Sequence, residues 1–146
     1  MKKAASFCAY QERTQQEVRQ RLKDWTVWGD DAEEIIAWLI SENYINEERF
    51  AKIFAGSKFR VKKWGRKKIL FELKARGLSA YCIKMGMAEI ENDDYAATLQ
   101  DLLTKKSKEL AGKNPALIKQ KLAYFAMSKG YETDTIWEVI RALGNV

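Results

Sequence analysis

Apolar residues along this chain recur at three- and four-residue spacing and strand-like alternation is absent, so the pattern predicts helices throughout. Ala4, Phe7 and Cys8 mark a short first helix between Lys2 and Gln11. Thr14-Gln15-Gln16-Glu17 reads as a capping box that starts a second helix, whose buried stripe is Val18, Leu22 and Trp25. Asp30 or Asp31 is expected to cap a third, with Ala32, Ile35, Ile36 and Leu39 on its apolar face. Asn46 caps a fourth, with Glu47 and Glu48 in its first turn, which is predicted to bury Phe50, Ile53, Phe54 and Val61 and to stop at Gly65. From Arg66 to Arg76 the stripe is Ile69, Leu70 and Leu73, with Phe71 on the opposite face. Gly77 ends that helix, and Ser79 caps another carrying Cys82, Ile83 and Met87.

Asn92-Asp93-Asp94 is expected to cap a helix bearing Tyr95, Ala96, Leu99, Leu102, Leu103 and Leu110, ended by Gly112. Asn114-Pro115 opens the next, since proline at the first helical position loses no hydrogen bond. Leu117, Ile118, Leu122 and Phe125 lead to Gly130, and Thr133 is expected to cap a last helix with Ile136, Trp137, Ile140 and Leu143.

The glycine ends align these helices as a repeat. Leu73-Lys74-Ala75-Arg76-Gly77 matches Ala126-Met127-Ser128-Lys129-Gly130, and Ile83 and Ile136 stand at the same distance beyond their glycines. The first copy is looser: Val18 and Leu22 correspond to Ile69 and Leu73, while Thr26 replaces the glycine. The expected fold class is therefore all-α, with about nine helices in three tandem three-helix units, 1–45, 46–90 and 91–146, extended and curved.

Composition narrows the chemistry. There is no histidine, which removes Ser-His and Cys-His catalysis. Cys8 and Cys82 suit neither a disulfide scaffold nor a zinc site and are expected as buried thiols. Acidic groups such as Asp30, Asp31, Glu33 and Glu34 fall at helix starts, where capping and the helix dipole explain them without a metal. Gly65-Arg66-Lys67-Lys68 lacks both the first glycine and the Ser/Thr of a phosphate-binding loop. No apolar stretch reads as a leader or membrane span, so a cytoplasmic protein without cofactor, metal or catalytic residues is expected.

The net charge of +6 conceals blocks: residues 52 to 88 carry +10, flanked by −6 over 29 to 51 and −5 over 89 to 104. Such a concentration attracts polyanions, although charge runs are also ordinary solvated faces. Trp64 within Lys62-Lys63-Trp64-Gly65-Arg66-Lys67-Lys68 adds an aromatic that could stack on a base. The candidate DNA- or filament-binding residues are Arg60, Lys62, Lys63, Trp64, Arg66, Lys67, Lys68, Lys74 and Arg76, extended by Lys119 and Lys121. A helix-turn-helix reader of duplex DNA and a helical scaffold for protein partners remain as alternatives, because no Arg/Asn/Gln constellation marks base readout.

The chain resembles the RecX family, regulators of the RecA recombinase. The likeness rests on Arg13-Thr14 with Glu17 and Leu22, on Tyr44-Ile45-Asn46-Glu47-Glu48-Arg49-Phe50-Ala51, and on Gly65, Lys68-Ile69, Leu73 and Gly77. Asn43, Glu47 and Lys68 depart from the family's usual glycine, aspartate and arginine, as do Val18 from leucine and Ser128-Lys129 from arginines. The resemblance implies tandem three-helix repeats, no catalysis, and binding along the groove of RecA–DNA filaments; separately, a monomer is expected. It also implies damping of ATP hydrolysis, strand exchange and coprotease function in DNA repair and the SOS response. Binding of single- and double-stranded DNA without strong sequence preference accompanies it in some members.

Overall fold

The computed structural model describes residues 1–144, and among these the chain forms nine α-helices and no strand. They fall in three successive triplets: α1 Lys2–Tyr10, α2 Gln15–Asp24 and α3 Asp30–Ser41; α4 Glu47–Arg60, α5 Arg66–Ala75 and α6 Ala80–Met87; α7 Asn92–Glu109, α8 Pro115–Lys129 and α9 Thr133–Leu143.

Four of the helix starts follow their local signals. Thr14 accepts the Glu17 amide at 3.1 Å and its hydroxyl donates to the Glu17 carboxylate at 3.2 Å, which ties the first turn of α2. Asn46 accepts from the Arg49 amide, Ser79 from that of Cys82, and Asn114 from that of Ala116. Three other starts differ from expectation. The N-cap of α3 is Gly29, at φ 67°, and those of α7 and α9 are Glu91 and Glu132, none with a side-chain cap. Asp30, Asp31, Asn92, Asp93, Asp94 and Thr133 lie inside the helices instead. Carboxylates in a first turn are stabilised there by the helix dipole without capping.

By packing, the described chain divides into two compact units, and the division falls within α4, within α5 and before the last residue of α6. The first unit comprises Met1–Phe54 and Glu72–Gly86. Its core includes Ala4, Cys8, Val18, Leu22, Ile36, Leu39 and Ile45, edged by half-buried Phe7, Trp25 and Trp38. The segment Asn43 to Ala51 ties this unit together. Glu47 accepts the Gln15 amide at 3.0 Å, so the first turn of α4 serves the first turn of α2. Arg49 pairs with Glu12 at 2.8 Å and donates to the Asn43 carbonyl at 3.1 Å. Gly86 sits so close that a Cβ there would lie 2.7 Å from the Ala51 carbonyl oxygen.

The second unit comprises Ala55–Phe71 and the chain from Met87. Phe59, Ile69, Tyr95, Leu99, Leu103, Leu122, Tyr131, Ile136 and Ile140 are buried there.

Burial corrects several assignments. Ile53 is 51% and Val61 72% exposed, and the buried side of α4 is Phe50, Ala51, Ala55 and Phe59. The alanines let neighbouring backbone approach, as Gly86 does at Ala51, and the branched side chains turn outward. Cys8 is buried, which pushes its thiol pKa up against the opposing pull of Arg13, whereas Cys82 is only half-buried. Ala96 is exposed, and Trp25 and Trp137 are half-buried rather than core. Gly65 does not terminate α4. That helix ends at Arg60, and Lys63 takes the left-handed φ of 61°.

Candidate nucleic-acid interface

The cationic stretch is built on a backbone held by hydrogen bonds to distant partners. At the start of α5 the Gly65 amide donates to the Lys129 carbonyl at 2.7 Å, that of Arg66 to the Tyr95 hydroxyl at 2.9 Å, and that of Lys67 to the Gly130 carbonyl at 2.9 Å. The terminal carbonyls of α8 thus satisfy the first donors of α5, each end providing what the other lacks. A helix N-terminus normally attracts anions through these same amides. Here the amides of Gly65, Arg66 and Lys67 are occupied, which leaves the side chains as the main means of meeting an anion.

The loop before α5 is held in the same way. Tyr131 donates its hydroxyl to the Lys63 carbonyl at 3.0 Å, and the Lys129 ammonium donates to the Lys62 carbonyl at 3.3 Å. Tyr95 stacks on Tyr131 with ring centroids 5.0 Å apart and donates to the Glu132 carboxylate. Burial first, and then the Glu132 carboxylate, hold the Tyr95 phenol neutral far above the usual tyrosine range; burial does the same for Tyr131.

On this backbone the candidate residues separate by what their side chains touch. Lys62, Lys63 and Lys67 are exposed, as is Arg60, whose guanidinium lies against Gly56. Arg66 is half-buried and turned inward: it lies 4.1 Å above the Tyr95 ring and donates to the Ile90 carbonyl at 3.1 Å and to Asn92 at 2.8 Å. Trp64 is half-buried, with the Lys68 and Lys58 ammonium groups 4.6 and 5.0 Å from its ring. Its ring is therefore already engaged by cations.

Lys74 and Arg76 belong to the first unit. Lys74 is exposed, while Arg76 lies over Phe54 and bonds the Glu72 carbonyl at 2.9 Å. On α8, Lys119 is half-buried and Lys121 exposed. The neighbouring Lys113, and less strongly Lys106, lower the Lys121 pKa by crowding like charges.

Sequence reasoning missed Lys129, Tyr95 and Tyr131 as parts of this arrangement. Their partners are remote in the chain, by 68 residues for Tyr131 and Lys63, so no local pattern marks them. Among the described residues no group of three or more His, Cys, Asp or Glu could hold a metal ion, and no helix is long and apolar enough to cross a membrane.

Comparison with known proteins accounts for most of the chain. Family models match for the first RecX three-helix domain over residues 1–39, the second over 46–87 and the third over 93–140. A protein named Regulatory protein RecX from Clostridium perfringens is 30% identical over 135 residues, covering 91% of this chain and 63% of that protein. Its namesake from Bacillus cytotoxicus is 28% identical over 133 residues, with 49% of its own length matched. This chain thus spans about half to just under two thirds of these relatives. The crystal structure of RecX from Lactobacillus salivarius superimposes with a TM-score of 0.89 over 99% of this chain and 94% of that one; at 21% identity it bears on the fold alone. Three successive domain matches on an all-α repeat of three-helix units place the chain: it belongs to the RecX family.

Proposed function

We propose that this protein binds RecA–DNA filaments and restrains the recombinase, lowering its ATP hydrolysis, strand exchange and coprotease activity. The observation that carries this reading, beside the family, is the exposure of Lys62, Lys63 and Lys67 on a backbone already satisfied by Tyr131, Lys129 and Gly130. Cations on a fixed backbone meet phosphates with little loss of conformational freedom. Contacts of this kind bind without regard to base sequence, because phosphate carries none of it. On this reading the protein works in the cytoplasm as a monomer, and binds rather than catalyses.

The test is RecA ATPase on single-stranded DNA with and without the protein, alongside direct measurement of filament binding. Wild-type protein is expected to bind and to suppress hydrolysis. A Lys62→Glu, Lys67→Glu, Lys74→Glu variant is expected to keep its helicity and lose suppression. Wild-type binding that leaves ATPase unchanged overturns the inhibitory reading.

A further inference from the structure

A globular helix is usually polar where it meets water, and α8 is only partly so, with apolar side chains among Gln120, Lys121 and Ser128. Ile118, Leu122 and Ala126 are buried on one side, yet Leu117, Tyr124 and Met127 are 41%, 77% and 51% exposed on the other. Beside this outward face a groove of about 590 Å³ runs between α7 and α8. Leu110, Leu117 and Phe125 make its apolar lining, Tyr124 stands at the side, and Lys106 and Lys121 flank it. Lys121 is exposed at the groove and Lys113 is near enough to lower its pKa, so an anion there meets more than one positive charge. The nearby carboxylate of Glu109 is 3.1 Å from the Lys106 ammonium and so answers that cation instead.

We infer that this groove docks an acidic segment of a partner protein, with an aliphatic side chain in the apolar floor and carboxylates against Lys113 and Lys121. Amphipathic peptides bind grooves in this manner through anchors spaced one helical turn apart. A nucleic acid strand fits the groove less well. Single strands stack successive bases on several aromatic faces, but Tyr124 is the one well-exposed ring in the groove lining, since the Phe125 ring is half-buried and faces the Lys106 and Lys129 ammonium groups at 5.1 and 6.0 Å. Leu117, 41% exposed, offers aliphatic surface instead, above the buried Leu110.

This inference does not rest on the RecA reading, and its test uses no filament. The full chain is titrated, by fluorescence anisotropy, with a short labelled peptide rich in Asp and Glu that carries two leucines one helical turn apart. A peptide with serine at both leucine positions and a labelled oligothymidylate are titrated in parallel. The leucine peptide is expected to bind, and the serine peptide to bind at least about tenfold more weakly, the cost of leaving an aliphatic anchor unburied. Lys121→Glu is expected to weaken the leucine peptide by about tenfold, through like-charge juxtaposition in place of attraction. Tyr124→Ala, at an exposed position, is expected to weaken it while leaving helicity unchanged. Equal binding of the two peptides, or no binding of either, overturns the proposal. So does oligothymidylate binding that Lys121→Glu abolishes while the leucine peptide fails to bind, which assigns the groove to nucleic acid.

Discussion

Gly65 lies directly against the peptide group of Gly130. A Cβ on Gly65 would fall on the Gly130 carbonyl, and one on Gly130 would fall on Lys68. This contact lets the last carbonyls of α8 reach the first amides of α5.

Substitutions at these glycines should therefore rank by space as well as by φ. Gly77 has φ 73° but a Cβ there would be 3.7 Å from the Gln16 side chain, so Gly77→Ala should cost about 1 to 2 kcal/mol, the left-handed penalty alone. Gly65→Ala, with no left-handed φ, should instead cost about 1 to 3 kcal/mol or more through overpacking, because its neighbour is backbone. Gly130→Ala meets both difficulties, with φ 100°, and should be the most destabilising of the three in urea unfolding. An equal loss at all three positions would show that the close approach is unimportant.

Arg66 and Lys67 are adjacent cations with different expected roles. Arg66→Ala removes hydrogen bonds from a charged donor to Ile90 and Asn92 and should cost about 1.5 to 3 kcal/mol or somewhat less, given its partial exposure. Lys67→Ala should change stability by no more than about 0.5 kcal/mol and act on DNA affinity instead. Thermal unfolding and DNA titration of the two variants check the separation.

Leu73 and Leu122, in the second and third repeats, have no exposed surface. Either substitution to alanine should cost about 2 to 5 kcal/mol, with the size set by how far the cavity collapses. Denaturant midpoints measure this directly.

DNA binding through the exposed lysines should weaken with salt, with a log–log slope of about −0.7 per phosphate contact on single strands and −0.9 on duplex. The Lys62→Glu, Lys67→Glu, Lys74→Glu variant should show a visibly shallower slope. Unrelated sequences should bind with similar affinity; one strongly preferred duplex would favour the helix-turn-helix alternative.

Tyr95 and Tyr131 should remain protonated beyond the pH at which free tyrosine ionises, about 10. Their folded pKa values are raised, so their contribution to stability is fully present below the unfolded value and is lost as pH rises through the folded one. Phenolate absorbance from this pair should appear together with unfolding in an alkaline titration. Absorbance from both at ordinary pH with the fold intact would show that the pair is solvent-accessible.

The sequence by itself determined the helices, most of their ends and the three-unit repeat. The reason is range: a helical stripe repeats every three or four residues, and the caps at Thr14, Asn46, Ser79 and Asn114 reach only two or three residues along the chain. Gly77 and Gly130 were readable as left-handed ends for the same reason. Tertiary structure alone decided which cations are exposed. Arg66 and Lys67 read alike in a basic run, but Arg66 is drawn inward by Tyr95, Ile90 and Asn92, which approach only when the second unit packs. Ile53 and Val61 match the helical period yet face water, because packing selected the side of α4 where Ala51 and Ala55 permit close approach. Gly65 looks locally like a helix stop, and its actual role is set by Gly130, across a separation that no capping motif spans.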